Sequence, residues 1–202
     1  MKIYLAHLSA LSTLPQLRKD AICQCLSVAE ALRYQRFLRP ERAQQFLLGR
    51  YLLRHQLSSL LGIPAVEVPL SERPNNAPLL DLKGLPPIGF SISHSQQWVA
   101  CAIAKDAKLG LDIEVIDPQR DVLALAEHSF HHAQIAELLA KSQQDQIEYF
   151  YQCWTAKEAQ IKLSAACQEL QHLRYSRYPE LAIAVCSDTA IACAPEILEV
   201  VL

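Results

Sequence analysis

Two carboxylates, Asp112 and Glu114, stand two apart in Leu109-Gly-Leu-Asp-Ile-Glu-Val115. Apolar Leu109, Leu111, Ile113 and Val115 alternate with Gly110, Asp112 and Glu114. That pattern predicts a strand with both carboxylates projecting from one face. Like charges at this spacing repel unless a cation lies between them, and hard Mg²⁺ prefers oxygen ligands. Taken alone, the pair is more simply a solvent-facing strand edge with polar alternation. Gly110 permits close approach of a second backbone, or of a ligand, to the same face.

A second group lies in Tyr149-Phe-Tyr-Gln-Cys-Trp-Thr-Ala-Lys-Glu-Ala-Gln-Ile-Lys162, which has good helix formers and no Gly or Pro. At a period of 3.6, Ile147, Phe150, Trp154 and Ile161 share an apolar face. Glu158 lies beside that face and Lys162 one turn further. Alone they make an i,i+4 ion pair worth about 0.2–0.5 kcal/mol. Set against Asp112 and Glu114, Glu158 completes a face of three acidic ligands. Mg²⁺ then takes its remaining ligands from waters and substrate phosphates, and Lys162 meets a phosphate oxygen as a point charge. The combination suggests phosphate chemistry. Ser91-Ile-Ser-His-Ser95 adds hydroxyls and an imidazole at the end of another strand, although a lone His there is ordinarily just an exposed loop residue.

These residues need elements to carry them. Lys2–Leu8 reads as a strand and Leu14–Phe37 as a helix with Pro15 in its first turn. Glu41–Leu61 reads as a second helix whose core face is Phe46, Leu47, Leu53, Leu57, Leu60 and Leu61, stopped at Gly62. Val66–Leu70 reads as a short strand, and Ser71–Gly89, rich in Pro, Gly and Asn, as a loop whose exit is stiffened by Pro86-Pro87. Phe90–Ser93 and Trp98–Ala104 form a strand pair. Helical patterns follow across Val122–Ala126, His132–Ala140 and Asp145–Ala166, then strands at Leu181–Cys186 and within residues 190–202. The order strand, helices, strands occurs twice, with a seam near residue 106. The expected fold is α+β: two similar halves, 1–105 and 106–202, in a pseudo-two-fold arrangement with the active site in the cleft between them.

Composition bounds the partners. The 202 residues carry a formal net charge of −2, which gives no general case for nucleic-acid binding. Basic residues do cluster locally, at Arg33, Arg36, Arg39, Arg42, Arg50 and Arg54. The start has no long apolar core before a cleavage site, and no apolar run approaches a membrane span, so a cytoplasmic protein is expected. The cysteine count of 7, odd and irregularly spaced, fits a reducing compartment.

Phe90-Ser-Ile-Ser-His-Ser95, Gly110-Leu-Asp-Ile-Glu114 and Trp154-Thr-Ala-Lys-Glu-Ala-Gln-Ile-Lys162, in that order, resemble the three signature blocks of the 4′-phosphopantetheinyl transferases, in the two-half class that activates peptide and polyketide synthetases. Leu48-Gly-Arg-Tyr-Leu-Leu-Arg54 is similar to that class's arginine-bearing helix. The resemblance implies transfer of the phosphopantetheine arm of coenzyme A to a serine of an apo acyl or peptidyl carrier protein, with release of adenosine 3′,5′-bisphosphate. It also implies a monomer. Carried over by position, Asp112, Glu114 and Glu158 hold Mg²⁺, Glu158 serves as base, and Lys162 stabilises the phosphate in transfer. Ser93, His94, Arg50 and Arg33 contact coenzyme A, with His94 at its 3′-phosphate. The departures thin the 3′-phosphate clamp: Gln45, Ala77 and Glu30 stand where the family places basic residues. Gln134 replaces an acidic residue, and Leu163-Ser-Ala-Ala-Cys167 replaces a glycine-rich turn. Arg36, Arg39, Arg42 and Arg54 are the candidates to compensate. The alternative reading is an impaired homologue that binds carrier protein or nucleotide without transfer.

Overall fold

A computed structural model describes residues 1–73, 76–81 and 87–202. The first sheet joins β4 (Ile88–Ser95), β5 (Trp98–Lys105), β1 (Lys2–His7) and β9 (Glu196–Glu199) in that order. The second joins β6 (Leu109–Val115), β8 (Leu181–Ser187) and β7 (Glu169–Leu173). Between β1 and β4 lie α1 (Ser9–Thr13), α2 (Gln16–Gln24), α3 (Val28–Gln35) and α4 (Pro40–Leu61), followed by short strands β2 (Leu70–Ser71) and β3 (Leu79–Leu80). Between β6 and β7 lie α5 (Val122–Ser129), α6 (His132–Leu139) and α7 (Gln143–Leu163).

The two sheets pack face to face. Ile3, Leu5, Trp98, Ala100 and Ala102 of the first meet Leu109, Leu111, Ile113, Leu181, Ile183 and Val185 of the second in one buried cluster. The alternate residues of β5, Val99, Cys101 and Ile103, turn outward and bury against Leu48, Leu52, Leu53 and Leu57 of α4. The alternate residues of β8, Ala184 and Cys186, meet Ala159 and Leu163 of α7. Each central strand is therefore buried on both faces, which is why β5 reads Trp-Val-Ala-Cys-Ala-Ile-Ala with little polar alternation. The layers run α4, first sheet, second sheet, α7, which is the two-half α+β architecture expected. One strand crosses the expected boundary: β9 returns to pair in parallel with β1.

Several elements differ from the expectations. The helix read across Leu14–Phe37 is broken at Ser27. Its side chain accepts from Glu30 N while Glu30 accepts from Ser27 N, a capping box that restarts the chain as α3. Residues Ala65–Glu67 form a 3₁₀ turn instead of a strand, because Arg54 Nη1 donates to the carbonyls of Ala65, Val66 and Val68. Strand β7 had no forecast. The loop expected over Ser71–Gly89 carries the short β2–β3 pair, and Pro86 lies outside the described residues. Gly62 does end α4, in the left-handed region at φ 69°. No helix among the described residues is long and apolar enough to cross a membrane.

Beneath α4 sits a buried charge cluster. Glu30 is fully buried and accepts from Arg54 Nε at 2.7 Å, while Arg50 Nε lies 3.3 Å from its other oxygen, too poorly aligned for a hydrogen bond. Arg50 Nη2 donates to Glu72 at 2.7 Å, and Arg33 reaches the same carboxylate. Breaking a buried network by removing one partner typically costs about 3–5 kcal/mol, because the other charges remain buried. Glu30→Ala is therefore expected to lose that much stability by urea denaturation. A loss under about 1 kcal/mol would show that water or backbone carbonyls already satisfy both arginines.

Candidate active site

The site begins with Gly110. A Cβ there would stand 1.9 Å from the Ala159 carbonyl oxygen and 2.8 Å from Leu163 N. The missing side chain lets α7 lie directly on β6, and it is a backbone that takes up the close approach read from the sequence. The buried stripe of α7 runs through Tyr151, Thr155, Ala159 and Leu163, with Phe150 beside it. This corrects the expected stripe: Phe150 is buried, Ile147 and Trp154 are only partly buried, and Ile161 is 58 % exposed. Small residues at 155 and 159 are what a helix needs to sit close on a sheet, and a periodicity of large apolar residues does not detect them.

That packing sets Lys162, in the last turn of α7, over the polar face of β6. Its Nζ donates to Asp112 Oδ1 at 2.7 Å and to Ser93 Oγ at 2.9 Å. The ion pair expected within the helix is thus made across to the strand. Asp112 is only 4 % exposed, so the solvent-edge reading fails for it, while Glu114 is partly buried. Ser93 donates to Asp112 Oδ1 at 2.8 Å, and Ser95 donates to Glu114 Oε2 at 2.5 Å. Burial raises the Glu114 carboxyl above its ordinary range. The Ser95 hydrogen bond, Arg120 and Lys162 pull it down, and Asp112 pushes it further up.

His94 points to the other face of β4, toward α4. Arg42 Nη1 lies 2.6 Å from its Nε2 and 3.1 Å from its Nδ1, and also donates to Gln45 Oε1 at 2.7 Å. Burial first, then Arg42 and Lys162, push the His94 pKa down to about 4, so the ring is neutral at pH 7 and can accept from Arg42. The sequence offered Arg42 as one of several compensating arginines. Only the fold shows that it, one turn before Gln45, reaches the imidazole.

The other expected ligand contacts are otherwise engaged. Ser93 has used its single donor on Asp112, and both acceptor positions on Lys162 and Ile113 N. Arg50 is buried against Glu72 and Glu30, and Arg33 is paired with Glu72.

Glu158 is half-buried on α7, one turn before Lys162, with no hydrogen bond or ion pair among the described residues. No three His, Cys, Asp or Glu side chains among the described residues converge closely enough to hold a metal ion. Asp112, Glu114 and Glu158 are thus not drawn onto one point, and the Lys162 ammonium stands against Asp112 Oδ1. Asp112 Oδ2, however, is buried without a hydrogen-bond partner among the described residues. A buried, unpartnered carboxylate oxygen next to a second carboxylate is costly unless a cation meets it. This oxygen-only donor set fits a hard divalent ion such as Mg²⁺. A cavity of about 430 Å³ opens elsewhere, lined by His7, Trp98, Tyr178, Glu180 and Glu199, and contains none of these groups. Chemistry rather than volume locates the site.

Comparison with known proteins gives the same two parts. Residues 16–106 match the family described as 4′-phosphopantetheinyl transferase, N-terminal, and residues 108–190 match the 4′-phosphopantetheinyl transferase superfamily. The chain is 32 % identical over 162 residues to the 4′-phosphopantetheinyl transferase Sfp of Bacillus subtilis (strain 168), covering 80 % of this chain and 69 % of that protein. It is 35 % identical over 122 residues to the 4′-phosphopantetheinyl transferase psf-1 of Bacillus pumilus, covering 60 % of this chain and 50 % of that one. Against the 4′-phosphopantetheinyl transferase AcpT of Escherichia coli (strain K12) it is 35 % identical over 121 residues, 60 % of this chain and 57 % of that one. For some relatives, psf-1 among them, the matched part of the chain spans only about half of their length. With both sheets, the seam between them and the carboxylate–lysine site accounted for, the chain belongs to the 4′-phosphopantetheinyl transferase superfamily.

Proposed function

We propose that the chain moves the 4′-phosphopantetheine arm of coenzyme A onto a serine hydroxyl of an apo acyl or peptidyl carrier protein, as a cytoplasmic, Mg²⁺-dependent monomer. The observation that carries this reading is the buried Asp112, with one oxygen on Lys162 and the other unpartnered, beside Glu114 at the seam of the two halves. In this reading Asp112, Glu114 and Glu158 would hold Mg²⁺, which when bound neutralises pyrophosphate charge and stabilises the leaving group. The carrier serine oxygen attacks the phosphorus that bears the pantetheine arm. The bond from that phosphorus to the bridging oxygen breaks, and adenosine 3′,5′-bisphosphate leaves with the electron pair. Glu158, which no side chain among the described residues engages, takes the serine proton directly or through a water. Lys162 holds charge on the transferred phosphoryl group.

Incubation with Mg²⁺, coenzyme A and a panel of apo carrier proteins is expected to add one phosphopantetheine mass to the true acceptor, read by mass spectrometry. Carrier-protein binding by calorimetry with no mass gain on any acceptor would instead establish the impaired homologue.

Arg42 replaces, from one turn earlier on α4, the clamp charge missing at Gln45. A lost charge-assisted hydrogen bond costs about 1.5–3 kcal/mol. Arg42→Ala should therefore raise the KM for coenzyme A by roughly tenfold or more. With 3′-dephospho-coenzyme A as donor the variant should match the wild type; an equal rise with both donors would remove Arg42 from the 3′-phosphate.

A further inference from the structure

Strands β4 and β6 belong to different sheets, and no backbone ladder joins them. They are joined by three hydroxyls. Ser91 Oγ accepts from Leu111 N at 2.9 Å, Ser93 Oγ from Ile113 N at 3.3 Å, and Ser95 Oγ from Val115 N at 3.1 Å. All three serines are buried, on the face of β4 that β5 continues with Ala102, Ala100 and Trp98. The alternation of β4 thus presents a hydroxyl to every second N–H along the edge of β6, where a backbone carbonyl would stand in a continuous sheet.

Each hydroxyl keeps one donor. Ser93 and Ser95 direct theirs at the carboxylates of Asp112 and Glu114, the residues just before the N–H groups they cap. Ser91 stands opposite Gly110 in this pattern, where there is no carboxylate to aim. The ladder thus contains its own comparison: Ser91 closes the seam, whereas Ser95 closes the seam and also grips a carboxylate.

We propose that Ser95 is a positioning residue for the cation-binding carboxylates: it fixes the aim of Glu114, and through the hydroxyl ladder the setting of one half against the other becomes the setting of the carboxylate pair. This rests on the reading of Asp112 and Glu114 as cation ligands. Hydrogen-bond partners of metal-binding side chains typically contribute 10–100-fold to metal affinity, in rough terms. Ser91→Ala and Ser95→Ala remove the same edge acceptor and should lose similar stability by urea denaturation.

The test is Mn²⁺ binding, followed by electron paramagnetic resonance of the free ion, alone and with coenzyme A present. Ser95→Ala is expected to bind about tenfold more weakly than the wild type. Ser91→Ala should bind like the wild type, and Ser95→Thr, which keeps the hydroxyl, should restore the affinity. Asp112→Asn separates the two levels of the argument. If the wild type and Asp112→Asn bind Mn²⁺ alike, the cation site itself is wrong and the proposal falls with it. If Asp112→Asn abolishes binding while Ser95→Ala binds like the wild type, or Ser91→Ala weakens binding equally, the carboxylates stand and the positioning role does not.

Discussion

Asp112→Asn is expected to lower phosphopantetheine transfer by about 10³-fold or more while leaving the protein at least as stable as the wild type. The activity side follows from the two oxygens. Oδ1 anchors Lys162, and Oδ2 is the buried acceptor offered to the cation. Losing both functions removes several kcal/mol of stabilisation from developing phosphate charge, and about 4 kcal/mol already corresponds to 10³-fold. The stability side follows from the same geometry. An unpartnered carboxylate oxygen, on a residue 4 % exposed and two positions from Glu114, opposes folding in metal-free buffer. An amide removes that charge, and Lys162, about a third exposed, can turn to solvent. Added Mg²⁺ should then raise the melting temperature of the wild type by binding the folded state, and should leave that of Asp112→Asn unmoved. A variant that keeps transfer, or that melts far below the wild type in metal-free buffer, would show that Asp112 serves the fold first.

The carboxylate pair, the two halves and the long helices were legible because each rests on local pattern. Alternation marks β6, Gly62 stops α4, and the order of elements repeats about residue 106. The failures share a physical origin. The break at Ser27 carried a readable signal, Ser-Val-Ala-Glu, but the apolar periodicity on either side outweighed it. The crossover of β9 is a long-range pairing with no local mark. Arg50 and Ser93, which the resemblance places at coenzyme A, take protein partners that nothing local in the sequence marks. Whether an arginine faces a substrate or a buried glutamate is decided by Glu30 and Glu72, which lie 20 and 22 residues from Arg50 along the chain. The apolar face of α7 was drawn through large side chains, when close packing is set by Thr155 and Ala159.

Gly110→Ala should damage both the fold and the reaction. The added Cβ meets the Ala159 carbonyl oxygen at 1.9 Å, and that oxygen belongs to the backbone of α7 and cannot rotate away. The helix must retreat by more than an ångström to reach ordinary contact. Overpacking of this kind costs about 1–3 kcal/mol, and here the upper end is expected because a whole helix moves. Ala159 and Leu163 bracket Lys162, so the same retreat draws the ammonium off Asp112; a displacement of about 1 Å costs on the order of 10²-fold in rate. Gly49→Ala is the matched control on α4. Its Cβ would meet side chains and no backbone, Ile92 at 3.2 Å and Val99 at 3.6 Å, and the gain in helix propensity, up to about 1 kcal/mol, offsets the squeeze. The control should keep both stability and transfer. Because the clash at Gly110 is with main chain, adding Ala159→Gly should not rescue Gly110→Ala. Rescue by that second change would place the contact in the Ala159 methyl instead, and would undo the account of how α7 is seated on β6.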